Sequence, residues 1–295
     1  MQKLTERQDM TPRLQAAYAS CRRAHRRHDP TYYYATRRLP AEVRPAVHAL
    51  YAFVRSADEL VDGPRRAADP EQRRAQLDSL ERSLHDGLAG ASSRDPTVVA
   101  LTHAGRVHDL PLGELRPYMR SMRTDCGPVR IDSWNELIAY MDGSAAAVGR
   151  IMAPLLGAPG DAGLSFARLG QAFQLTNFIR DVREDFGLDR IYLPGDDLRR
   201  FGVAEHEIAA GGRPSDGFRS MLALQVDRAR ELFRQGAPAL GAVEPRVRPG
   251  MRMARGVYVR VLDRVERLDY DVLTRSAGLR PWETAGAAMG SLRAR

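Results

Sequence analysis

Cysteine is scarce in this chain, with Cys21 and Cys126 the only two in 295 residues. Two cysteines without CxxC spacing exclude a disulfide framework and suggest a reducing compartment. Lysine is scarcer still: Lys3 stands alone, so nearly all the basic charge is arginine. Long apolar runs are also lacking. The greasiest stretch, AAAVGRIMAPLLGAP, is interrupted by Arg150 and Pro154 and is too short to span a bilayer. The opening MQKLTERQDMTPRLQ has no apolar core behind its charges, which speaks against a secretory signal. Internal repeats and low-complexity tracts are missing as well. These absences predict a cytoplasmic protein, compatible with peripheral contact at a membrane surface.

A net charge of +8 and a pI near 9.9 raise the question of nucleic acid. No zinc-finger spacing, stacking-aromatic string or basic-then-heptad pattern accompanies the charge, and the arginines run from end to end. Arginine suits bidentate binding of phosphate oxygens on small ligands. The expectation is therefore an anionic substrate or lipid surface and no nucleic acid.

A hydrophobic fraction of 43% is that of a globular chain. Its periodicity is helical almost throughout, without a convincing alternating strand. The pattern predicts helices over 12–27, 41–62, 70–89, 95–108, 113–124, 132–156, 162–185, 217–235 and 247–273. Asp95-Pro96 and Asp132-Ser133 supply capping chemistry at two of the starts. None of the breakers GPRRAADP, GLDRIYLPGDD, GGRPSDG and GAVEPRVRPG is a long linker. The reading is one all-α domain over 1–295, fraying over about ten residues at each end.

RDVREDFGLDRIYLP, residues 180–194, places a dense cluster of acids and arginines after the apolar QAFQLTNFI. On a helix advancing about 100° per residue, Gln174, Asn177, Asp181 and Asp185 fall within roughly 80° of one another. Buried amides and carboxylates need partners, so such a stripe should face a wet or metal-filled space. Gly170, one turn earlier, would leave room there. In HALYAFVRSADELVD the arrangement recurs: Tyr51, Arg55, Asp58 and Asp62 stand at i, i+4, i+7 and i+11. A single DxxxD on an arginine-rich helix is usually solvated charge. Two of them, each with polar groups one and two turns earlier, favour an all-oxygen lining suited to Mg²⁺ and a phosphate. Arg55, Arg180, Arg183 and Arg190 would supply forked donors to a diphosphate.

A third stretch, YMDGSAAAVGRIMAPLLG, crowds Gly143, Ser144, Ala145, Ala146, Ala147 and Gly149 together. Close helix crossing and an apolar trough, with Tyr140 at its mouth, explain this equally well.

YAFVRSADELVD, YMDGSAAAVGRIMAPLLG and QAFQLTNFIRDVREDFGLDRIYLP together resemble the squalene/phytoene synthases. The third stretch, with its YMxGSAAxVG wording, is closest to bacterial phytoene synthases. The likeness runs from HDPTYYYATRRLP near residue 28 to ARGVYVRVLDRVERLDYDVLTR near residue 275. It implies the all-helical isoprenoid-synthase fold with a central apolar cavity and the two acidic motifs facing each other. It implies head-to-head condensation of two prenyl diphosphates with Mg²⁺, or Mn²⁺ in its place. By this resemblance Asp58, Asp62, Asp181 and Asp185 are the metal ligands, and Tyr51, Arg55, Tyr140 and Arg180 are catalytic. Thr31, Tyr32, Gln174, Asn177, Arg190, Tyr258 and Arg275 become substrate-binding positions. Phytoene from two geranylgeranyl diphosphates is the favoured product, through a cyclopropyl diphosphate. Squalene or dehydrosqualene from farnesyl diphosphate is the alternative, and a non-catalytic assembly protein of the same fold is the reading of another class. The absence of a GxGxxG fingerprint fits an ending without nicotinamide reduction.

Two departures stand out. Glu59 replaces the commoner middle aspartate of the first motif, off the main stripe and with little expected consequence. Asp29-Pro30 stands where the family usually carries a basic or small residue. That change removes a diphosphate contact, with two expected outcomes: Arg37 or Arg38 substitutes, or affinity suffers.

Overall fold

A computed structural model describes residues 10–279, apart from the side chains of Thr31 and Ala35. The fraying expected at residues 1–9 and 280–295 lies outside the described residues. Among these, the residues up to Gly113 together with Pro154–Leu156 form one compact unit, and Glu114–Ala153 with those from Gly157 onward form a second.

The first unit holds α1 (Pro12–His28), α2 (Pro30–Thr36), α3 (Arg44–Val61), α4 (Pro70–Leu88) and α5 (Pro96–His108). Four of these helices begin in one way, with an oxygen-bearing side chain followed by proline. Thr11, Asp69 and Asp95 accept from the backbone N–H groups of Leu14, Glu71 and Thr97, and Asp29 accepts from Tyr32 at 2.8 Å. The caps satisfy orphan donors while the prolines occupy positions where no N–H is needed. Helix α1 packs on α3 and α5, α3 on α4 and α5, and α4 on α5. Ala46, Leu50, Phe53, Ala57 and Val61 recur along α3 at three- and four-residue steps and are all buried. Each of the larger ones contributes about 1.5–3 kcal/mol of burial. The Tyr51–Asp62 stripe is left on another side of the helix.

The second unit runs through α6 (Leu115–Thr124), β1 (Val129–Arg130), α7 (Trp134–Met141), a π turn (Asp142–Ala146) and α8 (Ala147–Leu155) as far as Ala153. It continues with α9 (Gly163–Arg180), α10 (Val182–Gly187), β2 (Arg190–Ile191), α11 (Gly195–Arg200) and α12 (Glu205–Ala210). Helices α13 (Asp216–Gln235), α14 (Pro238–Ala242) and α15 (Arg248–Arg267) complete it. Helix α9 is the hub, packing on α13, α15, α7 and the π turn. At its crossings the backbones come unusually close. A Cβ on Gly170 would stand 2.8 Å from the carbonyl oxygen of Ala145, and one on Gly149 would stand 2.6 Å from that of Phe166. Gly170 therefore leaves no room beside the polar stripe: its missing side chain is filled by the neighbouring backbone. At Gly149 the small-residue run likewise serves close crossing.

The all-α expectation holds, with differences in detail. The predicted 132–156 helix carries the π turn, and the 162–185 helix breaks at Asp181, where φ −103° and ψ 19° leave the helical region. The last helix stops at Arg267 and not at 273, because Asp269 and Tyr270 take positive φ. Short helices α2, α11, α12 and α14 were not anticipated. Nor was the parallel pairing of β1 with β2, in the register Val129↔Arg190 and Arg130↔Ile191. No helix among the described residues is long and apolar enough to cross a membrane.

Candidate active site

In the first unit Asp58 and Asp62 close helix α3, and the Asp62 N–H bonds back to the Asp58 carbonyl at 2.8 Å. The two carboxylates thus stand one turn apart. Arg55 forms an ion pair with Glu59, whose carboxylate also lies 3.8 Å from His28 Nδ1. Glu59 is therefore not incidental, because it fixes the guanidinium of the stripe. Tyr51 stacks face to face on His25, with centroids 4.0 Å apart and planes at 11°. Its phenol is pushed up by burial first and by Asp29, Asp58 and Glu59, with Arg55 opposing. Tyr32 tilts against both Tyr51 and His25. Thr31 sits in the first turn of α2, and its side chain is outside the described atoms. Asp29 spends a carboxylate oxygen on capping this helix, so the Asp-Pro departure has a structural cause.

In the second unit the helical hydrogen bonding carries across the break at Asp181. Its N–H bonds to Asn177 O and the Asp185 N–H to Asp181 O, both at 2.8 Å, which keeps the two carboxylates one turn apart. Arg180 grips Asp181 with two bonds of 2.6 and 2.5 Å. The Asp185 carboxyl is pushed up to about 7 by burial and then by Asp181, while Arg190 draws it down and Asp125 and Glu184 add to the rise. Glu184 is exposed. Gln174 and Asn177 are half-buried, and their amides make no hydrogen bond among the described residues. Tyr258 meets Phe173 of α9 with centroids 4.4 Å apart and lies within electrostatic reach of Arg180. Arg275 is exposed beyond α15.

Tyr140 does not stand at a mouth. It is 8% exposed, and its hydroxyl donates to Asp125 Oδ2 at 2.6 Å. Tyr192 donates to Oδ1 of the same carboxylate at 2.8 Å, and Arg190 Nη2 donates to the Asp125 carbonyl at 2.6 Å. Burial, then Asp125, holds both phenols well above their usual range. The β1–β2 pairing builds this cluster. Val129 N bonds Asp189 O at 3.0 Å and Gly195 N bonds Ile131 O at 2.8 Å, pinning RIYLP along VRID. Arg190 and Tyr192, two residues apart on an extended segment, then project to one side. Asp125 and Tyr192 were not among the residues expected from the sequence. Tyr192 was at least inside the RIYLP stretch, whereas Asp125 carried no local signal.

Among the described residues no group of three or more His, Cys, Asp or Glu converges into a ready-made metal cage. Paired carboxylates one turn apart, beside arginines, are what remains. That donor set fits a hard divalent ion, which takes one or two carboxylates, waters and substrate phosphate oxygens in place of a full protein cage.

Residues 25–283 match the model of the squalene/phytoene synthases. The chain belongs to the squalene/phytoene synthase family. A phytoene synthase of Thermus thermophilus is 36% identical over 268 residues, covering 88% of this chain and 87% of its own. A 15-cis-phytoene synthase of Synechococcus elongatus is 31% identical over 282 residues, covering 91% and 90%. Among solved structures, a dehydrosqualene synthase in complex with ligand superposes with a TM-score of 0.83 at 25% identity, covering 94% of this chain and 96% of its own. A squalene synthase from Alicyclobacillus acidocaldarius gives 0.81 at 30% identity, covering 88% and 97%. The fold is thus the isoprenoid-synthase helical fold. The protein is a prenyltransferase of a family that joins prenyl diphosphates head to head in carotenoid biosynthesis and uses a divalent metal to ionise them.

Proposed function

We propose that the protein condenses two geranylgeranyl diphosphates head to head into phytoene, through a cyclopropyl diphosphate, with Mg²⁺ or Mn²⁺. The observation that carries the reading is the doubled carboxylate pair in a chain 36% identical to a phytoene synthase over most of its length. Asp58 and Asp62 in the first unit, and Asp181 and Asp185 in the second, would hold the metal–diphosphate assemblies. When bound, the divalent ions supply Lewis-acid neutralisation of the leaving diphosphate.

The chain's own residues do the rest. Arg55 and Arg180 are held beside the carboxylates by Glu59 and Asp181, poised to turn their forks to phosphate oxygens as charge develops there. Gln174 and Asn177 offer uncommitted amides to a ligand or its waters. Tyr51, Tyr140 and Tyr258 present phenol faces that favour a passing carbocation. Farnesyl diphosphate as substrate is the second reading, favoured by the likeness to the dehydrosqualene synthase structure.

The same reading includes peripheral contact with an anionic lipid surface. Arg22, Arg23, Arg26 and Arg27 are exposed along α1, while Ala17, Cys21 and His25 are buried on the other side, and Tyr34 is 60% exposed nearby in sequence. An apolar product suits such a location.

The test is incubation of the purified protein with Mg²⁺ and either prenyl diphosphate, with and without NADPH, and identification of the hydrocarbon. Phytoene from geranylgeranyl diphosphate, independent of NADPH, is expected. No turnover of either substrate, where a working synthase turns over, would sink the reading.

A further inference from the structure

The second unit buries a carboxylate that the mechanism above does not use. Asp125 follows α6 and is 6% exposed, yet it receives three groups from two distant segments. Tyr140 of α7 bonds one carboxylate oxygen, Tyr192 after β2 bonds the other, and Arg190 of β2 bonds its main-chain carbonyl. The tyrosines also touch each other, with centroids 5.2 Å apart, and Phe178 stacks on Tyr192 at 4.0 Å. An apolar filling would serve stability at least as well as a desolvated carboxylate.

The arrangement fixes the polarity of both phenols. Each has one proton, and each proton is committed to Asp125. The two hydroxyls also lie within hydrogen-bonding reach of each other, so toward a ligand the pair has lone pairs left and no proton to donate. Arg190, tied to the same residue, keeps its charge close to Asp185. We propose that Asp125 is a positioning residue that locks Tyr140 and Tyr192 as acceptor-only, electron-rich groups, suited to a cationic intermediate and unable to hydrogen-bond a diphosphate as donors. The inference rests on the prenyltransferase reading for its consequence, though not for its geometry.

Asp125→Asn is nearly isosteric and tests it. Its single carbonyl oxygen can accept from one phenol, while its NH₂ must meet the other phenol's oxygen and turn that hydroxyl away. In the substrate-free protein, the tyrosine Raman doublet, whose intensity ratio distinguishes donating from accepting phenols, should shift toward acceptor character. In turnover, kcat should fall about 10–100-fold with KM for the diphosphate nearly unchanged. Placed on a Tyr140→Phe/Tyr192→Phe background, the same change should cost almost nothing more, because its partners are gone. Should Asp125→Asn fail to fold, the two Tyr→Phe variants made singly carry the same expectation for kcat against KM. The proposal is overturned by an unchanged Raman doublet, by an unchanged kcat beside a lowered melting temperature, or by an equal loss of kcat with and without the tyrosine hydroxyls. Failure of the wild-type protein to turn over any prenyl diphosphate strikes the functional reading instead, since the Raman comparison needs no substrate.

Discussion

Acidification should weaken the first unit through one pair of histidines. His25 of α1 and His48 of α3 are 0% and 6% exposed, and their Nδ1 atoms lie 2.9 Å apart. One ring must donate Nδ1–H and the other must accept through a bare Nδ1, so one ring has to be neutral and two imidazoliums cannot make this bond. Burial and two arginines oppose a positive charge there. Arg22 and Arg44 face His48, while Tyr32, Tyr33 and Tyr51 surround His25 with rings that carry no compensating carboxylate. Burial, then His48, lowers His25 from 6.5 to about 3; burial, then Arg22 and Arg44, lowers His48 to about 4. The unfolded chain thus binds protons that the folded chain refuses. The stability contribution is complete above about pH 6.5 and is lost as pH falls toward 4 and then 3. At about pH 5 each ring costs about 2 kcal/mol, or about 4 for the pair, a large share of a typical folding free energy.

Urea unfolding followed by circular dichroism, at about pH 7.5, 6 and 5, measures this loss directly. His25→Leu/His48→Leu removes both titrating groups and both hydrogen-bonding partners together, which leaves nothing unsatisfied. Over this range the wild type should lose about 4 kcal/mol relative to the variant, the protonation of Asp185 being common to both. Equal slopes in the two proteins would refute the reasoning. The consequence reaches the site, because His25 is the surface on which Tyr51 stacks.

Three further outcomes follow from the same geometry. Burial and Asp181 raise the Asp185 carboxyl from 3.8 to about 7, so its charge is a burden at about pH 8; Asp185→Asn should then melt higher without Mg²⁺ and diphosphate, yet lose at least about 100-fold in turnover. A lower melting temperature together with retained activity would contradict both halves. Asp197, 4% exposed, takes Gln225 at 2.9 Å and an ion pair from Arg228, whose guanidinium lies 4.4 Å over Trp134; Asp197→Ala should cost about 3 kcal/mol in urea unfolding, and a loss below about 1 kcal/mol would show that the network holds little. Vesicles of phosphatidylglycerol, but not of phosphatidylcholine, should bind the protein at low salt, and Arg23→Glu/Arg27→Glu should weaken that binding at least about 10-fold; equal binding to both lipids would remove α1 as the contact.

The helices were legible where apolar spacing and caps agreed. Helices α4 and α5 start within two residues of their expected positions, because Asp-Pro pairs mark both starts. Asp29-Pro30 is the same signal. It went unread as a helix start because its family context suggested a lost phosphate contact, and a seven-residue helix offers no periodicity of its own. The break at Asp181 was illegible for a different reason. One residue leaves the helical region while the i→i+4 bonds on either side survive, so the 3.6-residue pattern passes through unchanged. Spacing therefore located Asp181 and Asp185 as neighbours without revealing that Asp181 is a joint.

Gly170 and Asp125 mark where reading along the chain runs out. A missing side chain looks like space when one helix is considered alone, and only the partner backbone at Ala145 shows that it is filled. Asp125 lies in TDCG, with no motif around it. Its partners stand 15, 65 and 67 positions away, and a two-residue strand pairing too short to alternate brings them together. Periodicity reports what one element shows to its neighbours, and it found both acidic pairs because each pair lies within a single turn. A group that gathers donors from two distant elements leaves no period. It is found only by asking where every buried polar atom sends its hydrogen bonds. That question turns RIYLP from the trailing half of an acidic motif into the segment that delivers Arg190 and Tyr192 to Asp125.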